Sequence, residues 1–168
     1  MLEQKKIVFI DIDGVLKPWK CEYNFYEPAV DALNKIIDLT DCELVVSSDW
    51  RMTRSVSELQ DIFKKQKVTK LPIAKTRLSS RYDDLVNTRP HEIVDFIECM
   101  DIKVFAVIDD MPLRWNKVPN EYFYKKSLNL ENLSEWFQES FFRITDDEMG
   151  LKNEDVNKIV NHLNRKIV

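Results

Sequence analysis

Three short apolar runs constrain the fold of this chain more than any other feature. They are Ile7–Ile10, Leu44–Val46 and Val104–Ile108, and none of them alternates apolar with polar residues. A half-exposed strand alternates with a period of two, so unbroken runs of this length indicate strands that are buried on both faces. Strands of this kind belong to parallel sheets that helices cover on each side.

Segments with helical periodicity separate and follow these runs. Pro28 begins the first, and Ser55–Glu58 forms a capping box at the start of the second. We expect a third helix to begin after Arg89–Pro90 and a fourth to follow Gly150–Asn153. This alternation predicts an α/β fold, with a mainly parallel central sheet between two helical layers. The length of 168 residues suits a single domain over residues 1–168.

Composition excludes several classes of protein. With 25 basic and 29 acidic residues, the net charge of -4 argues against non-specific coating of nucleic acid or anionic membrane. No apolar run approaches the roughly 18–20 residues of a membrane-spanning helix, and the amino terminus has no signal-peptide cleavage pattern. The three cysteines (Cys21, Cys42 and Cys99) are scattered and form no metal or redox pair. We therefore expect a cytoplasmic protein without a membrane partner.

Acids and hydroxyls follow each of the three apolar runs. Asp11 and Asp13 come after the first, Ser47–Ser48 after the second, and Asp109–Asp110 after the third. Because the carboxyl ends of parallel strands meet at one edge of a sheet, we expect these side chains to lie close together. The simplest alternative is that Asp11 and Asp13 only form a turn before Gly14.

A cluster of carboxylates needs a neutralising cation. Two carboxylates about 4 Å apart repel by roughly 4 kcal/mol at an effective dielectric constant near 20. Oxygen ligands favour a hard cation, and Mg²⁺ typically takes one or two carboxylates together with water and a phosphate. An EF-hand loop is a poor alternative, because Val15 and Leu16 stand where that loop needs a ligand and a glycine. The pattern predicts a site for Mg²⁺ and a phosphate ester.

The same residues resemble the four motifs of the haloacid dehalogenase (HAD) phosphohydrolases. These are IVFIDIDGVL at residues 7–16, LVVSS at 44–48, Arg89 before a helix, and FAVIDD at 105–110. The resemblance covers almost the whole chain and extends, more loosely, to the short HAD domains of phage and RNA-repair proteins. It implies a three-layer Rossmann-like fold.

The resemblance also implies a phosphoaspartyl mechanism. Asp11 would be the nucleophile that attacks phosphorus, and Asp13 would protonate the leaving group and later deprotonate water. Mg²⁺ would be held by the Asp11 carboxylate, the Asp13 backbone carbonyl, and Asp109 or Asp110. We favour Asp110 as the direct ligand, with Asp109 supporting it.

The second and third motifs would bind the phosphoryl group. Ser47 is our choice for the hydroxyl that holds a phosphoryl oxygen, and Ser48 is the alternative. Arg89 is our choice for the cation, with Lys75 as the alternative. His91 is expected at the surface rather than at the substrate.

Further residues follow the second motif. Asp49, Trp50 and Arg51 come directly after Ser48. We expect them to line the entrance of the site, with core packing as the alternative for Trp50.

The spacing between motifs leaves no room for a full cap domain. Residues 15–27 supply at most a small flap before the first helix, so the site is expected to be open to large substrates. Residues 64–81 carry seven lysines and arginines and no acid, as a segment that tracks a phosphate backbone would. Aromatic residues of the flap would stack on bases, or else cover the core: Trp19, Tyr23, Phe25 and Tyr26.

These features rank the candidate functions. A Mg²⁺-dependent phosphatase comes first, acting on nucleic-acid ends, then on small nucleotides or sugar phosphates, and third on phosphoproteins. A phospho-acceptor switch resembling a receiver domain is one alternative. It is disfavoured because Asp13 would hasten loss of the phosphoryl group. A catalytically inactive HAD-fold binding module is the other.

Overall fold

The architecture is α/β, as the alternation of strands and helices predicts. A computed structural model describes residues 5–78, 85–115 and 133–165. Among these residues, five strands form one parallel sheet in the order β3-β2-β1-β4-β5. The strands are β1 (Lys6–Ile10), β2 (Glu43–Val46), β3 (Ala74–Lys75), β4 (Val104–Asp109) and β5 (Phe141–Arg143). The strand order reverses between β1 and β4, which is where open parallel sheets bind their ligands.

Helices cover both faces of the sheet. They are α1 (Glu27–Thr40), α2 (Val56–Lys65), α3 (Leu85–Met100), α4 (Leu133–Glu139) and α5 (Asn153–Leu163), with a short 3₁₀ helix at Asp49–Met52. Val8 and Ile10 of β1 belong to a core cluster with residues of α1, α2 and α5. Ile7 and Phe9 belong to a second cluster with residues of α3 and α4. Successive residues of β1 therefore face opposite layers, which explains why the strand has no polar positions.

The helix boundaries follow the sequence signals at one place and depart from them at another. The capping box of α2 is confirmed, because the Ser55 hydroxyl accepts from Glu58 N and the Glu58 carboxylate accepts from Ser55 N. The prediction that the third helix begins after Arg89–Pro90 is wrong, since α3 begins at Leu85 and contains Pro90. An interior proline costs about 3 kcal/mol. The apolar stripe of α3 is buried against the sheet and outweighs that cost.

The flap segment, residues 15–26, joins β1 to α1 and is tied to a turn near the end of the chain. Leu151 N donates to Val15 O at 2.9 Å, and Trp19 N donates to Asp147 O at 3.3 Å. The segment contains no helix or strand, as expected of a site without a cap at this position. No helix in the described ranges is long and apolar enough to cross a membrane.

Candidate active site

Three carboxylates from two neighbouring strands meet at the carboxyl edge of the sheet. Asp11 directly follows β1, whereas Asp109 ends β4 and Asp110 follows it. One oxygen from each lies within 4.8 Å of the others. Asp11 N donates to Ile108 O at 3.0 Å, which continues the β1–β4 ladder past the last strand residue and holds the two strand ends together.

Gly14 allows the chain to turn closely against this cluster. Its φ of 78° lies in the left-handed region, which glycine adopts without penalty. A Cβ at this position would lie 2.3 Å from Oδ2 of Asp110. The backbone of the turn therefore packs directly on the Asp110 carboxylate, and only glycine fits.

Arg89 places a guanidinium against the buried acids. Nη1 lies 2.6 Å from Asp109 Oδ2 and 3.4 Å from Asp11 Oδ2, while Nη2 lies 2.8 Å from Asp49 Oδ1. Lys75, the alternative cation, instead donates to the backbone carbonyls of Arg51 and Arg54. Of the two candidates, Arg89 is the one that contacts the acids.

Burial dominates the electrostatics of the cluster. It raises the pKa of Asp11 well above the ordinary value, and the charge of Asp109 raises it further, although Arg89 opposes both effects. Burial also raises the pKa of Asp109 against the influence of Arg89. Despite its own burial, Arg89 has a raised pKa because of Asp11 and Asp109. One guanidinium shared between these acids does not balance their charge.

The donor set fits Mg²⁺. Its ligand atoms are carboxylate oxygens, which suit a hard cation. Burial and the charges of Asp109 and Asp110 disfavour the ionised form of Asp11 and raise its pKa, and a divalent cation would favour the ionised carboxylate.

The two serines after β2 have different environments. Ser47 is fully buried, and within the part of the chain that the structure describes its hydroxyl has no hydrogen-bond partner. The Ser48 hydroxyl accepts from Trp50 N at 3.4 Å, as the N-cap of the 3₁₀ helix. Both serines therefore keep a hydroxyl proton to donate, and Ser47 is the one of the two whose hydroxyl makes no hydrogen bond within the described residues.

The 3₁₀ helix contributes side chains whose contacts the sequence did not reveal. Trp50 Nε1 donates to Asp13 Oδ2 at 2.7 Å. Arg51 is 2% exposed, forms an ion pair with Glu92 of α3, and donates to Ser47 O at 2.7 Å. The expectation that Arg51 lines the entrance is wrong, because it forms a buried link between the serine loop and α3. Its partner lies far along the chain, so no local pattern indicates the pair.

His91 is also placed differently from the expectation. It is 1% exposed, whereas we expected a surface residue. The error follows from the earlier start of α3, which puts His91 inside the helix rather than at its amino terminus.

The four flap aromatics divide into two pairs. Phe25 is buried, with its ring centroid 5.4 Å from that of Phe63, and Tyr26 is half-buried beneath the Lys20 ammonium. Trp19 and Tyr23 are each 77% exposed. Core packing explains the first pair, and the second remains free to contact a substrate.

The basic stretch does not form one surface at the site. Lys70 pairs with Asp41 and Glu43, which precede and begin β2 and therefore lie at the amino edge of the sheet. Because α2 runs back from the carboxyl edge to that edge, Lys64 and Lys65 at its end are also remote from the acids. Arg77 follows β3 at the carboxyl edge, and Arg81 lies outside the described residues.

The chain matches a known protein family. A family model described as the HAD domain in Swiss Army Knife RNA repair proteins matches residues 7–156, which is most of the chain. No significant match was found among curated proteins or among solved structures.

Proposed function

Because the chain belongs to the family of HAD domains found in Swiss Army Knife RNA repair proteins, which implies a phosphohydrolase-type function, we propose that it is a Mg²⁺-dependent phosphatase acting through a phosphoaspartyl intermediate. The observation that carries the proposal is the meeting of Asp11, Asp109 and Asp110 beside the guanidinium of Arg89.

The residues that would hold Mg²⁺ are the Asp11 carboxylate, the Asp13 backbone carbonyl and Asp110. Asp109 is better suited to a supporting role than to direct binding of the metal, because its two oxygens already accept hydrogen bonds from Arg89 and from Met111 N. When bound, Mg²⁺ would offset the repulsion between an anionic nucleophile and an anionic phosphate.

Asp11 would act as the nucleophile. One of its carboxylate oxygens forms a bond to phosphorus as the bond between phosphorus and the ester oxygen breaks. The electron pair of the broken bond leaves with the alcohol oxygen. Ser47 and Arg89 would hold the oxygens of the phosphoryl group during its transfer. The hydroxyl of Ser47 would donate a hydrogen bond to them, and the positive charge of Arg89 would attract them.

Asp13 would move the proton in both steps. Its carboxylic acid gives a proton to the departing alcohol oxygen. The resulting carboxylate then takes a proton from water as the water oxygen bonds to phosphorus and the Asp11–phosphorus bond breaks. The position of Asp13, two residues from Asp11 with its side chain 46% exposed, supports hydrolysis over a lasting phospho-acceptor switch.

We further propose that the substrate is a phosphorylated nucleic-acid end. Trp19 and Tyr23 are exposed on the flap, at the same edge of the sheet as the acids, and exposed aromatic rings are suited to stack on bases. The family description, which refers to RNA repair, supports the same class. Small nucleotides and sugar phosphates are the second class of substrate. The basic stretch that favoured a polymer is divided between two edges of the sheet, and this division favours a small substrate.

The activity is tested on p-nitrophenyl phosphate with Mg²⁺, with EDTA, and with Asp11→Asn. We expect turnover that requires the metal and disappears in the variant, whose folding is checked by circular dichroism. Retained activity in Asp11→Asn would exclude Asp11 as the nucleophile. If the wild type shows no turnover but acetyl phosphate labels Asp11 stably, the protein is a switch; without labelling, it is a binding module.

The substrate class is tested with oligonucleotides phosphorylated at either the 3′ or the 5′ end. Trp19→Ala and Tyr23→Ala should raise KM for the preferred oligonucleotide about tenfold each, since stacking contributes roughly 1–3 kcal/mol per base. Neither variant should alter turnover of p-nitrophenyl phosphate. Leu39→Ala, which removes an exposed apolar side chain from the last turn of α1, is the matched control. Unchanged KM values would favour small nucleotides instead.

A further inference from the structure

The indole of Trp50 contacts the proposed acid/base residue directly. We infer that Trp50 is a positioning residue, which orients the Asp13 carboxylate for proton transfer. The inference rests on the proposed phosphatase function and adds a residue to its mechanism.

Two donors contact the Asp13 carboxylate, one at each oxygen. Trp50 Nε1 lies 2.7 Å from Oδ2, and Lys17 Nζ lies 3.6 Å from Oδ1. The indole bond is the shorter, and its donor is the less mobile, because an indole is rigid whereas a lysine has four rotatable side-chain bonds. Each carboxylate oxygen has two lone pairs, so this bond leaves Oδ2 able to exchange a proton with substrate.

Trp50 is itself held in place. Its ring centroid lies 6.2 Å from that of buried Phe25, and the Arg54 guanidinium lies 4.3 Å from the ring centroid. Its backbone N–H donates to the Ser48 hydroxyl. The indole N–H is therefore aimed at Asp13 by the packing of the flap and by the 3₁₀ helix, before any substrate arrives.

This arrangement matters because Asp13 is only half-buried. Because its side chain is 46% exposed, packing restrains its rotation less than it restrains that of a buried acid, and the two donors matter more. A correctly placed acid or base contributes roughly 10²–10⁴ in rate, and small errors of placement lose a large part of such a contribution. Loss of the indole donor should therefore lower the rate of proton transfer without removing the nucleophile.

The experiment compares Trp50→Phe with Trp115→Phe on two esters. Phenylalanine keeps an aromatic ring but is smaller than indole and has no N–H donor, so the control must undergo the same loss of ring volume. Trp115 is a suitable control because it packs in the opposite core layer, where its N–H finds no partner within the described residues. A simple alkyl phosphate has a leaving group that needs a proton, whereas p-nitrophenolate leaves without one.

For Trp50→Phe we expect kcat/KM on the alkyl phosphate to fall about tenfold and kcat/KM on p-nitrophenyl phosphate to stay within about twofold of wild type. Hydrolysis of the phosphoenzyme needs Asp13 whichever ester is used, so kcat should fall on both esters, and phosphoenzyme should accumulate with p-nitrophenyl phosphate, whose first step is not slowed. In an Asp13→Asn background, Trp50→Phe should cause no further loss, because the two residues act as one unit.

A spectroscopic measurement tests the contact independently of turnover. In protein labelled with ¹⁵N-tryptophan, the indole signal that disappears in Trp50→Phe should move in Asp13→Asn, while that of Trp115 should not.

The outcomes separate the two proposals. If the wild type is inactive, or Asp11→Asn retains activity, the proposed function fails and the role of Trp50 fails with it. If the wild type is active and Asp11→Asn is not, but Trp50→Phe matches Trp115→Phe on both esters, the positioning role alone is overturned. Equal losses of kcat/KM on both esters, or additive losses with Asp13→Asn, would also overturn it.

Discussion

Gly14→Ala should perturb the fold and the proposed metal site through the same added atom. Gly14 has a φ of 78°, and the left-handed region costs an L residue about 1–2 kcal/mol. The new Cβ would lie 2.3 Å from Asp110 Oδ2 and 2.6 Å from its Cγ. Carbon atoms in contact normally lie about 3.5–4.0 Å apart. The Asp110 carboxylate must therefore rotate out of the cluster.

Two effects of different size follow. The backbone cost of about 1–2 kcal/mol corresponds to a decrease of about 2–8 °C in Tm for a chain of this length. A metal that binds only the folded protein adds about 2.7 kcal/mol at a hundred times its Kd. Removal of one carboxylate ligand should reduce that increment. Gly14→Ala should thus lose stability in EDTA and lose more of it relative to wild type in MgCl₂.

The assay is urea denaturation in EDTA and in MgCl₂. Asp110→Ala is the matched variant: it should lose the magnesium increment but keep its stability in EDTA. In the Asp110→Ala background, Gly14→Ala should cost only the backbone part, because the carboxylate that the new Cβ meets is gone. If Gly14→Ala alone keeps the full magnesium increment of the wild type, then Asp110 is not a ligand, and the reasoning from this close approach is refuted.

Three further predictions follow from the cluster and from α2. In EDTA, the raised pKa of Asp11 means that the folded protein holds a proton which the unfolded chain releases near pH 4. The free energy of unfolding of the wild type, measured in urea and compared with that of Asp11→Asn, should therefore fall as pH rises above about 4. A difference between the two proteins that does not change with pH would contradict the raised pKa. Arg89→Met should destabilise the protein by about 3–5 kcal/mol in urea, because it leaves buried Asp109 without its cation, and MgCl₂ should restore part of the loss. Ser55→Ala should lower the free energy of unfolding by about 1 kcal/mol in a thermal unfolding experiment and leave kcat unchanged. A fall in kcat would mean that α2 supports the site.

The amino-acid pattern alone was sufficient to predict the middle strands of the sheet and the acids of the candidate site. β1, β2 and β4 coincide with the three apolar runs to within a residue at each end. A strand that is buried on both faces has no polar positions. This feature can be recognised from the residues of the strand itself, without knowing which strands pair with it. The meeting of Asp11 with Asp109–Asp110 followed from one further rule, that parallel strands end at the same edge. By contrast, the edge strands β3 and β5 have two and three residues, too few for any periodicity to show.

What only the tertiary structure decided is which partner each side chain found. Trp50 with Asp13, and Arg51 with Glu92, are pairs 37 and 41 residues apart. The same holds for exposure, since Trp19 and Phe25 lie in one short segment but only the ring of Phe25 enters the core. Periodicity, capping and strand burial are properties of neighbouring residues, so the sequence displays them. Contacts between distant segments depend on how helices and loops pack, and that packing is set by the whole chain at once.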